Sequence, residues 1–192
     1  MKNDVEQLMT GLRTDHRNMA LLLDLLDMET ERLAASEEPA YDFVQELMRY
    51  MTEYPDVVHH PKENLIYRHL KSLHPDIDDN LKRVETDHRH IEESGLKLKI
   101  DIEAMSDGAY LNRDEIIANL RHYIEKLREH MCWKRKTCLR SPTNCRTTAT
   151  GQQLYLRTMR LVTRYSGRRL NESIANFWPG LSNASSGTVK NT

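Results

Sequence analysis

The feature that most constrains this chain is an internal repeat of histidine positions. The tetrapeptide Thr-Asp-His-Arg that contains His16 recurs 72 residues later around His88, and His59 is matched 71 residues later by His130. Each half of the repeat therefore supplies one histidine from its first helix and one from its second. Pseudo-twofold packing of the halves would bring all four histidines to one level of a helical core, which predicts a metal site there.

A carboxylate accompanies one of these histidines. Glu63 follows His59 by four residues, and residues four apart share a helix face, so both side chains can reach one point. Such a pair is weak evidence alone, because it occurs by chance on many helices. The repeat gives it weight, and two metals bridged by carboxylates is the economical interpretation. The predicted metal ligands are His16, His59, Glu63, His88 and His130.

Each residue of the repeat also has a simpler interpretation. A single histidine on an apolar stripe, such as His16 or His88, is more often a hydrogen-bonded core residue. Asp15 and Asp87 are predicted to be solvated residues of the helix surface. The other histidines are interpreted as surface residues or as residues that surround the ligands: His60, His69, His74, His90 and His122.

Composition and apolar periodicity predict an all-α protein. Leu, Met, Glu, Lys and Arg dominate the first 130 residues, and Gly and Pro are sparse. Apolar residues at three- and four-residue steps predict four helices, with a kink or short break at Pro55 and Pro61. Short connections between them predict an up-down-up-down four-helix bundle. The predicted helices cover residues 3–35, 40–73, 77–106 and 112–133.

Several classes of protein are disfavoured. No apolar run approaches the roughly 20 residues that span a membrane, and the N-terminus lacks the apolar core of a signal peptide, so we expect a cytoplasmic protein. No nucleophile–base constellation or cofactor fingerprint is visible, so an enzyme is less expected than a binding protein.

The charge of the chain changes sign after Trp133. Residues 1–133 hold 17 Lys and Arg against 28 Asp and Glu, whereas residues 134–192 hold 11 Lys and Arg against Glu172 alone. The aliphatic periodicity ends at the same place. We therefore predict a bundle over residues 1–137 and a poorly ordered basic tail over residues 138–192.

These motifs resemble the hemerythrin-like (HHE cation-binding) family over about residues 5–138. The family pattern has an early histidine on the first helix, His-His-Pro-x-Glu on the second, Asp/Glu-His on the third and His-Met-x-Trp on the fourth. The matching residues are His16, residues 59–63, residues 87–88 and residues 130–133. The resemblance implies a non-haem di-iron centre with histidine ligands and carboxylate bridges. It implies a protein that binds or senses O2 or NO, handles peroxide or iron, or supports repair of iron centres.

One position departs from the family pattern. Lys134 stands four residues after His130, where the pattern has a glutamate. An ammonium cannot ligate a metal and repels a cation beside it. The resemblance implies iron as the cofactor, and because of Lys134 we expect a second metal to be held poorly or not at all, in a site that is defective in this copy.

The tail is interpreted as the product of a frameshift. Codons for residues 134–145 can be chosen so that one restored G after the tryptophan codon yields Glu-Glu-Glu-Asn-Leu-Phe, which supplies the missing glutamate and the family's closing Leu-Phe. The alternative is a genuine basic tail that binds nucleic acid or acidic lipid, on a metal-free helical interaction module. Aromatic residues are few and no nucleic-acid motif occurs. Nucleic acid is therefore not an expected partner, and neither is a membrane. The family resemblance makes a small gas ligand, O2 or NO, the expected partner, and no protein partner is predicted.

Overall fold

The computed structural model describes residues 2–73 and 77–137, and these residues are helical throughout apart from short connections. His74 and the predicted tail at residues 138–192 lie outside the described residues. No strand occurs within the two described ranges. The helices are α1 (Lys2–Ala34), α2 (Tyr41–Tyr54), a π-helical turn (Pro55–His59), α3 (His60–Leu73), α4 (Asp78–Ser106) and α5 (Arg113–Thr137).

Local sequence signals set the connection between α4 and α5. Gly108 adopts a φ of 88°, which favours glycine, and its N–H donates to the Met105 carbonyl at 3.1 Å. Asn112 then caps α5, because its Oδ1 accepts the backbone N–H groups of Asp114 and Glu115 at 3.1 and 3.3 Å. A connection this short makes the two helices antiparallel neighbours.

The second bundle helix is continuous through the predicted break. Helical conformation runs from Tyr41 to Leu73, and the π-helical turn joins α2 to α3. Within the turn, the His60 N–H bonds to the Pro55 carbonyl five residues earlier. Proline has no N–H, so the α-helical hydrogen bond is missing at Pro55 and Pro61. A π-helical turn contains one residue more than an α-helical turn, and it fits between these two prolines.

Four helical rods pack as a bundle. α1 packs against α5 and against the rod formed by α2 and α3, and α4 packs against α2 and α5. The predicted all-α, up-down-up-down four-helix bundle is therefore confirmed. Among the described helices, none is both long enough and apolar enough to cross a bilayer.

The core consists of two apolar clusters with a polar layer between them. Along α1, the smaller cluster reaches Leu12 and the larger cluster begins at Met19. The buried polar side chains between the clusters come from three of the rods, and they form the layer that holds the predicted site. We call this set the polar layer: Asp15, His16, His59, Glu63, His130 and Lys134.

Candidate metal centre

Three of the predicted ligands form a compact group, which we call the triad: His16 from α1, His59 from the π-helical turn and Glu63 from α3. Each is at most 2% exposed. His59 Nε2 lies 3.2 Å from both His16 Nε2 and Glu63 Oε1, and the latter two atoms are 3.7 Å apart. Two ligand atoms bonded to one ion at about 2.1 Å are separated by about 3.0–3.4 Å at right or tetrahedral angles. The triad therefore has nearly the spacing of one coordination sphere.

Of the other two predicted ligands, His88 lies on the second oxygen of the same carboxylate and His130 lies against His88. His88 Nε2 is 3.4 Å from Glu63 Oε2, and the rings of His88 and His130 meet edge-on with centroids 4.8 Å apart. His130 Nε2 is buried and has no hydrogen-bond partner in the described part of the chain. All five predicted residues thus come together around Glu63, and their role as ligands stays a prediction.

Lys134 lies inside this group. Its side chain is 1% exposed, and its Nζ donates a hydrogen bond of 2.7 Å to Glu63 Oε1. The same nitrogen lies 3.2 Å from His88 Nε2. The residue that departs from the family pattern therefore touches two of the predicted ligands directly.

Asp15 is not a solvated surface residue, so that prediction was wrong. It is 5% exposed, and its Oδ2 lies 3.4 Å from His59 Nδ1. Tyr54 and Lys62 donate further hydrogen bonds to its carboxylate at 2.8 and 2.9 Å. A carboxylate that accepts the Nδ1 proton orients the ring and leaves Nε2 as the metal-binding nitrogen, as is usual for histidine ligands.

Asp87 has the corresponding role in the second half of the repeat. Its Oδ2 lies 3.1 Å from His130 Nδ1, and its side chain is about one-third exposed. In each half, the aspartate of the first helix therefore contacts the histidine of the second helix. Sequence reasoning missed both aspartates, although the repeat carried the signal: each directly precedes a predicted ligand, and they recur together with the histidines.

His60 lies directly beside the predicted ligands. Its ring stacks on that of His88 with centroids 3.9 Å apart, and its Nδ1 lies 3.1 Å from Asp56 Oδ1. His60, Glu63 and His88 form a second group whose potential ligand atoms all lie within 4.8 Å of one another. Its prediction as a surface residue or one surrounding the ligands fits this position.

Burial and the Lys134 ammonium shift the pKa values of several predicted ligands. It lowers the pKa of His16 to about 4, and burial with the nearby Lys134 ammonium lowers the pKa of His88 to about 2. The same causes hold the pKa of His130 far below its usual range. Burial alone would raise the pKa of Glu63, but Lys134 and the contacts with the triad histidines hold it well below its ordinary value. At neutral pH the imidazoles of His16, His88 and His130 are therefore neutral and the Glu63 carboxylate is ionised, which are the forms that bind metal.

A small cavity adjoins the site. Its volume is about 30 Å³. One water needs about 10–15 Å³ of such space, so the cavity has room for about two waters or for a diatomic molecule. Most of its wall is apolar. Its lining residues are Met19, Met51, Pro55, Ile91, Leu127 and Met131, together with the polar residues Thr52, Asp56, His59, His60, His88, Glu92, His130 and Lys134.

Comparison with known proteins gives one match. A family model described as the hemerythrin HHE cation binding domain matches residues 8–134, a span that begins in α1, ends at Lys134 and includes every predicted ligand. No curated protein and no solved structure matches the chain significantly.

Proposed function

We propose that this chain, which belongs to the hemerythrin HHE cation-binding family, holds iron in its polar layer and binds a small gas ligand, O2 or NO, beside it. The observation that carries the proposal is the triad, whose three potential ligand atoms are buried and lie 3.2–3.7 Å apart. Imidazole and carboxylate together suit divalent transition metals, including iron.

The residues around the triad fit the requirements of a bound metal. Asp15 holds the outer nitrogen of His59, so the inner nitrogen is available and the ring is fixed. The orphaned Nε2 of His130 and the buried Oε2 of Glu63 are further acceptors that lack a hydrogen-bond donor in the described residues. Iron, when bound, supplies a Lewis acid with redox capacity and room for an exogenous ligand.

The cavity beside the triad supports a small, weakly polar ligand. Its apolar methionine and aliphatic walls offer few hydrogen bonds, so a neutral diatomic molecule loses less on entry than a polar solute of similar size. A wider groove of about 560 Å³ lies between α3 and α4 and is also lined by His88. This groove gives a small molecule a route towards His88 from solvent.

Metal loading tests the first part of the proposal. The protein is incubated with Fe(II) under anaerobic conditions, freed of unbound metal and measured by elemental analysis. We expect bound iron in the wild type and loss of most of it in His59→Ala, because a direct ligand is removed. His122→Ala is the matched control, since His122 is exposed on α5, and it should retain the wild-type content. Equal iron in His59→Ala and wild type, or none in wild type, contradicts the proposal.

The gas ligand needs a separate measurement. Addition of NO, or of O2, to the Fe(II)-loaded protein should change the visible absorption spectrum, and the change should be absent in His59→Ala. Bound iron without any spectral response to either gas would leave an iron-handling or iron-centre repair role and would refute gas binding.

A metal-free interaction module is the competing function, and the position of Lys134 is the observation that favours it. An ammonium that already neutralises Glu63 reduces the attraction of the layer for a cation. The basic tail on which this alternative relies lies outside the described residues. Wild-type protein that binds no divalent metal would favour this alternative.

A further inference from the structure

We propose that Lys134 supplies the positive charge of one metal of a pair, so that the polar layer holds a single metal ion at the triad with a lysine ammonium beside it. This inference rests on the proposed function, because it assumes that the triad binds metal. It goes further by assigning the number of ions and the residue that sets it.

The carboxylate of Glu63 divides the layer into two halves. Its Oε1 faces His59 and His16 at 3.2 and 3.7 Å, and its Oε2 faces His88 at 3.4 Å. A carboxylate with histidines on both oxygens has the arrangement of a bridge between two ions. The second ion would have to contact Glu63, His88 and the unpartnered Nε2 of His130.

Lys134 occupies that second position. Its Nζ lies between Glu63 and His88, because it is 3.2 Å from His88 Nε2 and donates a hydrogen bond of 2.7 Å to Glu63 Oε1, the oxygen that also faces the triad. Lys134 follows His130 by four residues, so both side chains project from the same face of α5 into the layer. An ion placed between Glu63 and His88 would lie against a cation that cannot bind it.

Burial shows that this position of the ammonium is not incidental. A lysine near the last turns of a helix can extend its flexible stem towards water, yet Lys134 is only 1% exposed. A buried ammonium is retained only with a good counter-charge, and the 2.7 Å contact with Glu63 supplies it. Lys134 is thus a partner of the bridging carboxylate.

Charge balance also favours one ion. Within the polar layer, Glu63 is the only carboxylate that faces the histidine Nε2 atoms, and Asp15 lies on an outer nitrogen. A divalent ion at the triad and the Lys134 ammonium already exceed the charge of that carboxylate. A second divalent ion would add like charge at short range in a medium of low dielectric constant.

The test counts metal ions per chain. Wild type, Lys134→Glu and the isosteric neutral variant Lys134→Met are titrated with Mn(II) and with Fe(II), and the equivalents bound are read by native mass spectrometry. Electron paramagnetic resonance reports independently whether bound Mn(II) ions are isolated or magnetically coupled. Lys136→Glu is the matched control, because Lys136 is exposed on the same helix and the substitution makes the same charge change. Circular dichroism establishes that each variant is folded.

We expect one equivalent with an isolated-ion signal in wild type and Lys136→Glu. In Lys134→Glu we expect two equivalents with a coupled signal, and in Lys134→Met a second, weaker equivalent. Two equivalents in wild type would overturn the inference and leave the proposed function standing. One equivalent in both folded Lys134 variants would overturn it as well. No metal in wild type would reject the proposed function itself, and metal restored only by the Lys134 variants would show that the ammonium blocks both positions.

Discussion

At the scale of single residues, the contact between Glu63 and Lys134 explains how the polar layer is tolerated. An unpaired carboxylate in a protein interior costs several kcal/mol in lost hydration, and Glu63 is 1% exposed. The Lys134 ammonium offsets that cost and holds the pKa of Glu63 well below its ordinary value against the effect of burial. The bundle therefore has a counter-charge for Glu63 without any metal.

The two aspartates of the repeat give a matched pair of substitutions. Asp15→Asn removes the charge that orients His59, and it should weaken metal binding by about 10–100-fold, the usual effect of losing such a partner. Asp87→Asn changes the equivalent residue on His130, which lies outside the triad, and should leave the metal affinity unchanged if one ion binds at the triad. Isothermal titration with Mn(II) measures both. Equal losses in the two variants would show that both halves of the repeat bind metal.

At the scale of elements, the π-helical turn determines where the triad lies. Phe43 and Leu47 of α2 pack into the larger apolar cluster, whereas Ile66 of α3 packs into the smaller one. One residue of an α-helix turns the chain by about 100°. The extra residue in Pro55–His59 therefore lets α2 and α3 bury their apolar faces while His59 and Glu63 point into the layer between them.

Removal of one residue from this turn tests that role. Val57 is 71% exposed, so its side chain contributes little packing. Deletion of Val57 should restore α-helical register and rotate α3 by about 100° relative to α2. Metal affinity should then fall at least about tenfold, because His59 and Glu63, which both follow Val57 in the sequence, would turn away from the layer, and loss of a predicted ligand should cost no less than loss of a residue that supports one. Metal titration and circular dichroism are the measurements.

Val57→Ala is the control that separates the effect of the register change from the effect of losing the Val57 side chain. It keeps the residue count of the turn and should bind metal like the wild type. A deletion variant that is folded and binds metal with unchanged affinity would mean that the wider turn has no part in placing His59 and Glu63.

At the scale of the whole molecule, the bundle places neutral histidines between two apolar clusters, and its stability should depend on pH. Below the ordinary histidine pKa of 6.5, the unfolded chain takes up protons, whereas burial keeps His16 neutral until the pH falls to about 4. His88 and His130 stay neutral to still lower pH. The unfolded state then binds more protons, so the free energy of unfolding falls as the pH falls through this range.

Urea denaturation of the metal-free protein between about pH 7 and about pH 4 measures this dependence. Each buried histidine that stays neutral should contribute a slope approaching about 1.4 kcal/mol per pH unit below its ordinary pKa. His16→Gln should reduce the slope of the unfolding free energy against pH by the contribution of one histidine. His122→Ala, at an exposed position, should leave that slope unchanged. A free energy of unfolding that is constant over this range would contradict neutral burial of the histidines.

The sequence by itself determined the helices, the bundle and the residues that meet at its centre. The apolar stripes predicted which face of each helix is buried. Gly108 marks the end of α4 and Asn112 the start of α5, as the structure has them. The repeat and the four-residue spacing of His59 and Glu63 required only helical geometry, because side chains at such spacings leave the helix in one direction. This explains why all five predicted ligands lie around one point.

Only the tertiary structure decided what those side chains touch. Asp15 lies on a helix face that the sequence could not distinguish from a solvated one, and it is buried because His59 and Tyr54 of the neighbouring rod cover it. Lys134 could have extended to water, and it turns inward because Glu63 lies within its reach. Periodicity fixes the direction in which a side chain leaves its own helix, whereas its partner depends on the rotation and spacing of the next helix, which packing of the whole core sets.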